Sequence, residues 1–320
     1  MPKVEVLLLG KLPEAPDRSL RQLFSVHAMP AGAQLDPTLA AAARGIARGG
    51  GHANVERALI AALPRLEIVA NFGVGYDGID LNAAAERGIV VTNTPDVLTE
   101  EVADTTLGLL IMTVRELSAA ERYLRAGKWP AAPYPLTPAT LRDRTVGIVG
   151  LGRIGATVAR RLEAMKVPVV YHARHPRPEV AYRYYGDLRE MAADVDTLVV
   201  VLPGDASTRG LIDASILSAL GPDGIVVNVG RGSVVDEPAL IAALKARTIR
   251  AAGLDVFTDE PNVPAELVAM DNVVLLPHVG SASIHTRDAM GQLVVDNLKS
   301  WFTDGRPLTP VPETPWPRKG

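Results

Sequence analysis

A glycine turn set between two short apolar runs constrains this chain more than any other stretch. Residues 145–174 read TVGIVGLGRIGATVARRLEAMKVPVVYHAR. An apolar run at 146–149 leads into Gly150-Leu151-Gly152-Arg153-Ile154-Gly155, then a helical pattern, then a second apolar run at 167–171. Two parallel strands need a crossover, and a helix of this length is the usual one, so the order predicts a βαβ unit. Each glycine then has its own task. Gly150 permits the tight turn, Gly152 lets the backbone approach a pyrophosphate, and Gly155 brings the helix close to the strand. The phosphates would rest on the free N–H groups and positive end of the helix beginning near Arg153. Gly150, Leu151, Gly152, Arg153, Ile154 and Gly155 are thus the candidate cofactor loop. A lone GxGxxG also fits an ordinary glycine-containing loop; its place between strand and helix selects a dinucleotide site.

The flanking sequence extends the same alternation. Apolar runs at 4–9, 66–70 and 89–91 alternate with helical patterns at 54–63 and 81–87, predicting a small α/β layer structure of its own. Its loops Arg48-Gly49-Gly50-Gly51 and Phe72-Gly73-Val74-Gly75 read either as plain turns or as backbone N–H groups offered to a small anion. Thr99-Glu100-Glu101 caps a predicted helix that ends near Gly127. Its apolar content is too broad for one face, which predicts burial between domains or subunits. A proline-rich arm follows at 129–138, by default a linker and less often a dimer contact. Further apolar runs at 197–202, 225–229, 251–256 and 273–276 alternate with helical stretches at 207–220, 238–246 and 264–269. That alternation predicts a doubly wound parallel sheet. A last amphipathic helix at 283–301 leads into the tail TPVPETPWPRKG, expected to be frayed or draped.

Length and charge bound the function. At 320 residues two domains are the default. A formal net charge of −3 gives no basic footprint for nucleic acid or an anionic membrane surface. The absence of cysteine excludes disulfides, Cys-ligated zinc and a thiol nucleophile together. The first apolar run is interrupted by Glu5 and closed by Gly10 and Pro13. It is too short for a signal peptide or membrane span and reads as a buried strand. The expected compartment is the cytoplasm.

In such sheets, ligands bind beyond the carboxyl ends of the strands. Arg231, Glu260 and His278 fall there in succession, after the runs at 225–229, 251–256 and 273–276. Singly, each reads as an ordinary loop residue; three on one edge, facing a dinucleotide, read as a constellation for hydride transfer to a 2-keto acid. Arginine offers a planar fork to a carboxylate and the adjacent keto oxygen. Histidine can donate a proton to that oxygen, and a neighbouring glutamate favours the imidazolium needed. No metal is expected: the six histidines show no HExxH spacing.

Over nearly its whole length the chain resembles the D-isomer-specific 2-hydroxyacid dehydrogenases, most closely the glyoxylate/hydroxypyruvate and hydroxyphenylpyruvate reductase branch. The motifs that carry the likeness are GVGYDGIDL (73–81), TNTPDVLTEEVAD (92–104), GIVGLGRIG (147–155), NVGRGSVVDE (228–237), GLDVFTDEP (253–261) and LLPHVGS (275–281). The resemblance implies Arg231 as substrate clamp, His278 as acid/base and Glu260 as its partner. It implies that Val74 and Gly75 hold the substrate carboxylate through their N–H groups. It implies cofactor contacts at Val102, Pro203, Thr208, Val229, Gly230, Arg231, Asp255, His278 and Gly280. One departure is Pro203-Gly204-Asp205, where relatives usually carry a Pro-Leu-Thr type sequence.

The implied architecture is α/β: a doubly wound (Rossmann) nucleotide domain over 98–285 and a smaller flavodoxin-like substrate domain formed by 1–97 with 286–320. Crossings near Thr94-Pro95 and at 277–283 would be hinges, and the assembly would be a homodimer. Phosphite or phosphoglycerate dehydrogenase, or a non-catalytic dinucleotide-sensing co-repressor, are the competing functions; formate dehydrogenase is disfavoured because relatives of that type carry glutamine where Glu260 stands. The cofactor is expected to be NADP(H), with NAD(H) possible. NAD-binding units place an acid about 20 residues beyond the glycines, whereas Tyr171-His172-Ala173-Arg174-His175-Pro176-Arg177 has none. Among them His172, Ala173 and Arg174 are the candidate contacts, and Arg174 could bind a 2′-phosphate.

Overall fold

Short apolar strands, most of them followed by a crossover helix, assemble here into two all-parallel sheets. The computed structural model describes residues 3–30, 32–51, 54–314 and 316–317. Two compact units result, one of residues 1–98 with 282–320 and one of residues 99–281.

The first unit contains β1 (Glu5–Leu9), α1 (Glu14–Leu23), β2 (Ser25–Met29), α2 (Pro37–Ala42), β3 (Gly45–Arg48), α3 (Arg57–Ala62), β4 (Ile68–Asn71), α4 (Leu81–Glu86) and β5 (Val90–Thr92). The strand order β2-β1-β3-β4-β5 is the flavodoxin-like one. Leu7, Leu9, Ile46, Val69 and Val91 are buried in one core layer of this sheet. β2 and β3 escaped the sequence reading. SVHAM is a half-buried edge without a continuous apolar run, and GIAR has one large apolar residue, Ile46, between a glycine and an arginine.

The second unit contains α5 (Thr99–Val114), α6 (Leu117–Arg125), β6 (Val146–Val149), α7 (Arg153–Ala164), β7 (Val169–His172), β8 (Arg183–Tyr185), α8 (Leu188–Asp194), β9 (Thr197–Val200), α9 (Ala214–Leu220), β10 (Ile225–Asn228), α10 (Glu237–Lys245), β11 (Ala251–Leu254), α11 (Ala265–Val268) and β12 (Val273–Leu275). Its order, β12-β11-β10-β9-β6-β7-β8, reverses direction at β6 and β9, as a Rossmann sheet does. The residues of β6, β9, β10 and β11 are all buried, as expected for strands covered on both faces. Beside the amino end of β6, Arg144 is 6% exposed. Its guanidinium donates to the carbonyls of Asp196 at 2.5 Å and Asp223 at 2.8 Å and to the Thr197 hydroxyl at 3.2 Å, tying the strand starts together.

Two helix expectations are corrected. The helix predicted from Thr99 to Gly127 is two helices, because Glu116 takes a left-handed backbone with φ 52° and redirects the chain. The breadth of α5's apolar surface reflects neighbours within its own unit, α7 together with β10, β11 and β12. The stretch expected to be helical from 207 to 220 is helical only in α9. Asp205 and Thr208 form a separate turn, Gly210 sits at φ 62°, and Asp213 caps α9 by accepting from Ser215 N and Ile216 N.

After the second unit, α12 (Ile284–Asp304) belongs to the first unit and packs against α1, β3 and β4. Gly291 allows the close approach, since a Cβ there would press on Pro16. The chain then drapes along β5 as far as Thr314. Val311, 1% exposed, donates to Val91 O at 2.9 Å, and Val91 N donates to the Thr314 hydroxyl at 2.9 Å. Of the expected tail, residues 315 and 318–320 lie outside the described residues. No helix among the described residues is long and apolar enough to cross a membrane.

Candidate active site

The glycine turn after β6 fits a dinucleotide by three separate geometries. Gly150 has φ 101°, where a side chain would be strained and would press on Leu202. A Cβ on Gly155 would overlap the Gly150 carbonyl, so α7 can lie on β6 only with glycine there. Gly152 differs: a Cβ there would meet nothing within 4 Å. Nothing in the protein's own packing requires Gly152 to be bare, and it leaves open the approach to a 12-residue helix whose start has no side-chain cap. Leu151 is buried and Ile154 half-buried, while Arg153 is exposed beside the turn.

Beyond β7, His172 Nδ1 lies 3.0 Å from Tyr185 O, and the Tyr184 hydroxyl donates to Ala173 O at 3.2 Å. The buried Tyr171 hydroxyl accepts from Arg177 N at 2.7 Å. These bonds order the backbone around Arg174, whose side chain is exposed. The nearest acid in sequence, Glu179, pairs with Arg177 at 3.2 Å.

The loops after β9 to β12 are knitted together where bare glycines let backbones touch. A Cβ at Gly230 would overlap the Leu202 backbone, and one at Gly232 would overlap Phe257 and Thr258. Arg231, between these two glycines, is held with its carbonyl accepting from Asn228 Nδ2 at 2.9 Å, and its own Nη1 donates to Gly230 O at 2.8 Å. Glu260 Oε1 accepts from Phe257 N at 3.0 Å, and its Oε2 lies 2.6 Å from His278 Nδ1. The carboxylate is 14% exposed and the imidazole 47%, so the pair presents its histidine side outward. With Nδ1 engaged, Nε2 is left for a substrate.

Asp255, 2% exposed, is the fixture under that histidine. Its carbonyl accepts from His278 N at 2.9 Å, and its carboxylate accepts from Val279 N at 2.7 Å and Gly280 N at 2.8 Å. Burial pushes the Asp255 carboxyl above the usual aspartate value, against the pull of the two amides and of His278. His278 itself has φ 53°, a left-handed conformation rare for a non-glycine residue and found preferentially where a site needs it. Val102 and Gly280 meet here too: a Cβ on Gly280 would touch both Val102 methyls and Asp255. The other predicted cofactor positions cluster nearby in the same unit. Thr208 donates to Pro203 O at 2.8 Å, and Val229 N donates to Val200 O at 3.1 Å.

In the first unit, the loop after β4 holds Val74 and Gly75. Three successive carbonyls are tied down: Asn71 Nδ2 donates to Gly73 O at 3.1 Å and Gly75 O at 3.0 Å, and Asn93 Nδ2 donates to Val74 O at 2.9 Å. The N–H groups of Val74 and Gly75 have no hydrogen-bond partner among the described residues. A planar trans peptide points its N–H away from its C=O, so fixing these carbonyls fixes the direction of the amides. That arrangement presents donors to a small anion.

Asn71 and Asn228 were missed from sequence, yet they do the same thing. Each is the buried last residue of an otherwise apolar strand, IVAN and IVVN, and each side chain ties down the glycine loop that follows. A polar residue closing a buried strand immediately before a glycine turn was the available signal. Among the described residues no group of three or more His, Asp or Glu side chains is arranged to hold a metal ion.

Residues 107–280 match the family model for the D-isomer specific 2-hydroxyacid dehydrogenase NAD binding domain. The glyoxylate/hydroxypyruvate reductase A HPR2 of Arabidopsis thaliana is 48% identical over 82% of this chain and 84% of its own length. The 2-ketogluconate reductase of Gluconobacter oxydans is 40% identical over 97% of this chain and 99% of its own length. Among solved structures, the NADPH-dependent glyoxylate/hydroxypyruvate reductase of Sinorhizobium meliloti, crystallised with NADP and malonate, is 52% identical. It superposes with a TM-score of 0.93 over 99% of each chain.

Proposed function

Because this chain belongs to the D-isomer specific 2-hydroxyacid dehydrogenase family, we propose that it reduces a small 2-keto acid of the glyoxylate/hydroxypyruvate type to the D-2-hydroxy acid, with NADPH. The observation that carries this reading is the His278–Glu260 pair at 2.6 Å, on the same sheet edge as Arg231 and the glycine turn. The relatives' names favour it over the phosphite, phosphoglycerate and co-repressor readings.

The cofactor, when bound, supplies the hydride. The turn from Gly150 to Gly155 and the start of α7 would hold its pyrophosphate, and Arg174, with His172 and Ala173, would hold the 2′-phosphate. Val102, Pro203, Thr208, Val229, Gly230, Asp255 and Gly280 line the remainder. In its own unit the Arg231 guanidinium offers a fork of donors to a keto acid and polarises its keto oxygen; in the other unit the Val74 and Gly75 amides offer donors suited to a carboxylate. As hydride reaches C2, His278 Nε2 gives its proton to the C2 oxygen, so the alkoxide never forms free. Glu260 supports the imidazolium before that transfer and fixes the ring that remains after it. In the reverse direction the neutral His278 takes the hydroxyl proton.

The proposal extends to a cytoplasmic homodimer joined through the nucleotide-binding unit. Leu124, Trp129 and Leu136, exposed by 55, 64 and 99%, offer apolar surface for that contact. The cysteine-free composition suits a reducing compartment. The test is loss of nicotinamide absorbance with glyoxylate, hydroxypyruvate and bulkier 2-keto acids, with the product's configuration determined. Cofactor binding without turnover on any of them would favour a sensor instead.

A further inference from the structure

β3 and β4 pair in parallel with Arg48 opposite Asn71, so the last residues of two adjacent strands face each other where the sheet gives way to the anion-binding loop. Arg48 Nη1 donates to Asn71 Oδ1 at 2.5 Å. An asparagine amide can face either way, and its partners decide which. A guanidinium has donors only, so the Asn71 oxygen faces Arg48 and its NH₂ faces the carbonyls of Gly73 and Gly75. Gly73 O shares a peptide plane with Val74 N–H, so holding the carbonyl aims the amide. The other guanidinium nitrogen lies over Gly78, whose missing Cβ leaves it room.

We propose that Arg48 is a positioning residue that sets affinity for the substrate carboxylate. Its cation orients Asn71, Asn71 orients the Gly73–Val74 peptide, and the charge behind the loop strengthens the anion site. This rests on the reading above in which Val74 and Gly75 hold that carboxylate. The proposal gives Arg48 no contact with the reacting atoms; it acts on binding.

The side-chain chemistry predicts a graded series. Arg48→Lys keeps a donor and a charge; Arg48→Met removes both; Arg48→Glu accepts rather than donates and so draws the Asn71 NH₂ away from the loop. KM for glyoxylate should rise in the order wild type, Lys, Met, Glu. A charge-assisted hydrogen bond of roughly 1.5–3 kcal/mol makes the Met variant about 10–100-fold weaker. Its kcat at saturation should stay within about 3-fold, and NADPH affinity by fluorescence titration should be unchanged. Gly78→Ala, which crowds the guanidinium without removing it, should raise KM in the same sense. A damaged fold would instead lower kcat through loss of active protein.

Val74→Pro, lacking one of the amides, separates the two layers of the claim. If Val74→Pro raises KM and Arg48→Met does not, the carboxylate reading stands and the role of Arg48 is overturned. If Val74→Pro leaves KM unchanged, the loop does not hold the carboxylate and both fall. An Arg48 series that lowers kcat with KM constant also overturns the proposal.

Discussion

The imidazole of His278 and the carboxylate of Glu260 meet at 2.6 Å although they stand 18 positions apart, on loops that follow different strands. Their meeting depends on the parallel pairing of β11 with β12 and on Asp255, which anchors the turn carrying His278. Strand register thus sets the distance on which proton transfer would rely.

That pair makes the first prediction. His278→Asn should lose about 10²–10⁴-fold in kcat while NADPH affinity persists, the range general acid catalysis supplies. Glu260→Gln keeps the shape but removes the carboxylate charge beside Nδ1, so kcat should fall while NADPH affinity again persists. An unchanged kcat in Glu260→Gln would remove Glu260 from the proton-transfer step.

Asp255 makes a pH-dependent prediction about stability. Burial holds its carboxyl above the usual value in the folded protein. Folding therefore favours the protonated form. The stability this group contributes is whole below its unfolded value, about 3.9, and is lost as the pH rises through the folded one. Asp255→Asn has no proton to lose, and it offers NH₂ to one of two backbone donors at Val279 and Gly280. The variant should melt lower than wild type throughout, with the gap wider near pH 4 than near pH 7. A gap that widens toward neutral pH would mean that the amides outweigh burial.

At the opposite end of the same sheet, Arg144 bears on stability alone. Replacing it with Ala leaves the carbonyls of Asp196 and Asp223 without their charged donor in a buried site. The cost should be roughly 2–5 kcal/mol, read as a lower melting temperature or denaturant midpoint. kcat of the protein that remains folded should match wild type. A loss of kcat without loss of stability would place Arg144 in the chemistry instead.

The sequence showed most about elements whose apolar pattern was continuous and whose glycines were forced. The glycine turn at 150–155 was legible because a positive φ demands glycine at 150 and a close backbone approach demands it at 155, with open space around Gly152 between them. Arg231, Glu260 and His278 were legible because they follow fully or mostly buried strands. The break at Glu116 was not, since a left-handed residue other than glycine leaves no compositional mark. β2 was hidden because a half-buried edge strand carries polar residues such as Ser25 and His27, which bond each other at 3.3 Å. Asn71 was hidden because its importance lies in which peptides it holds, and a lone asparagine in sequence has no stated partner.

The last prediction concerns the choice between cofactors, and it rests on the backbone after β7. An acid at this position would accept from the ribose 2′-hydroxyl of NADH and repel the 2′-phosphate of NADPH. Residues 171–177 contain no acid, and the backbone is fixed from beneath by the Tyr184 hydroxyl on Ala173 O and the Tyr171 hydroxyl on Arg177 N. Arg174 is therefore offered from an ordered strand end, so less side-chain and backbone freedom is lost when it binds a phosphate. A charge-assisted bond of roughly 1.5–3 kcal/mol corresponds to about one to two decades in affinity. Ala173→Asp combined with Arg174→Ala should move the kcat/KM ratio of NADPH to NADH by at least that much towards NADH. Tyr184→Phe should weaken NADPH selectively and more mildly, because it frees Ala173 O without touching the charge. Equal efficiency of the unmodified protein with the two cofactors would show that the exposed Arg174 only solvates the loop and that the missing acid has no consequence.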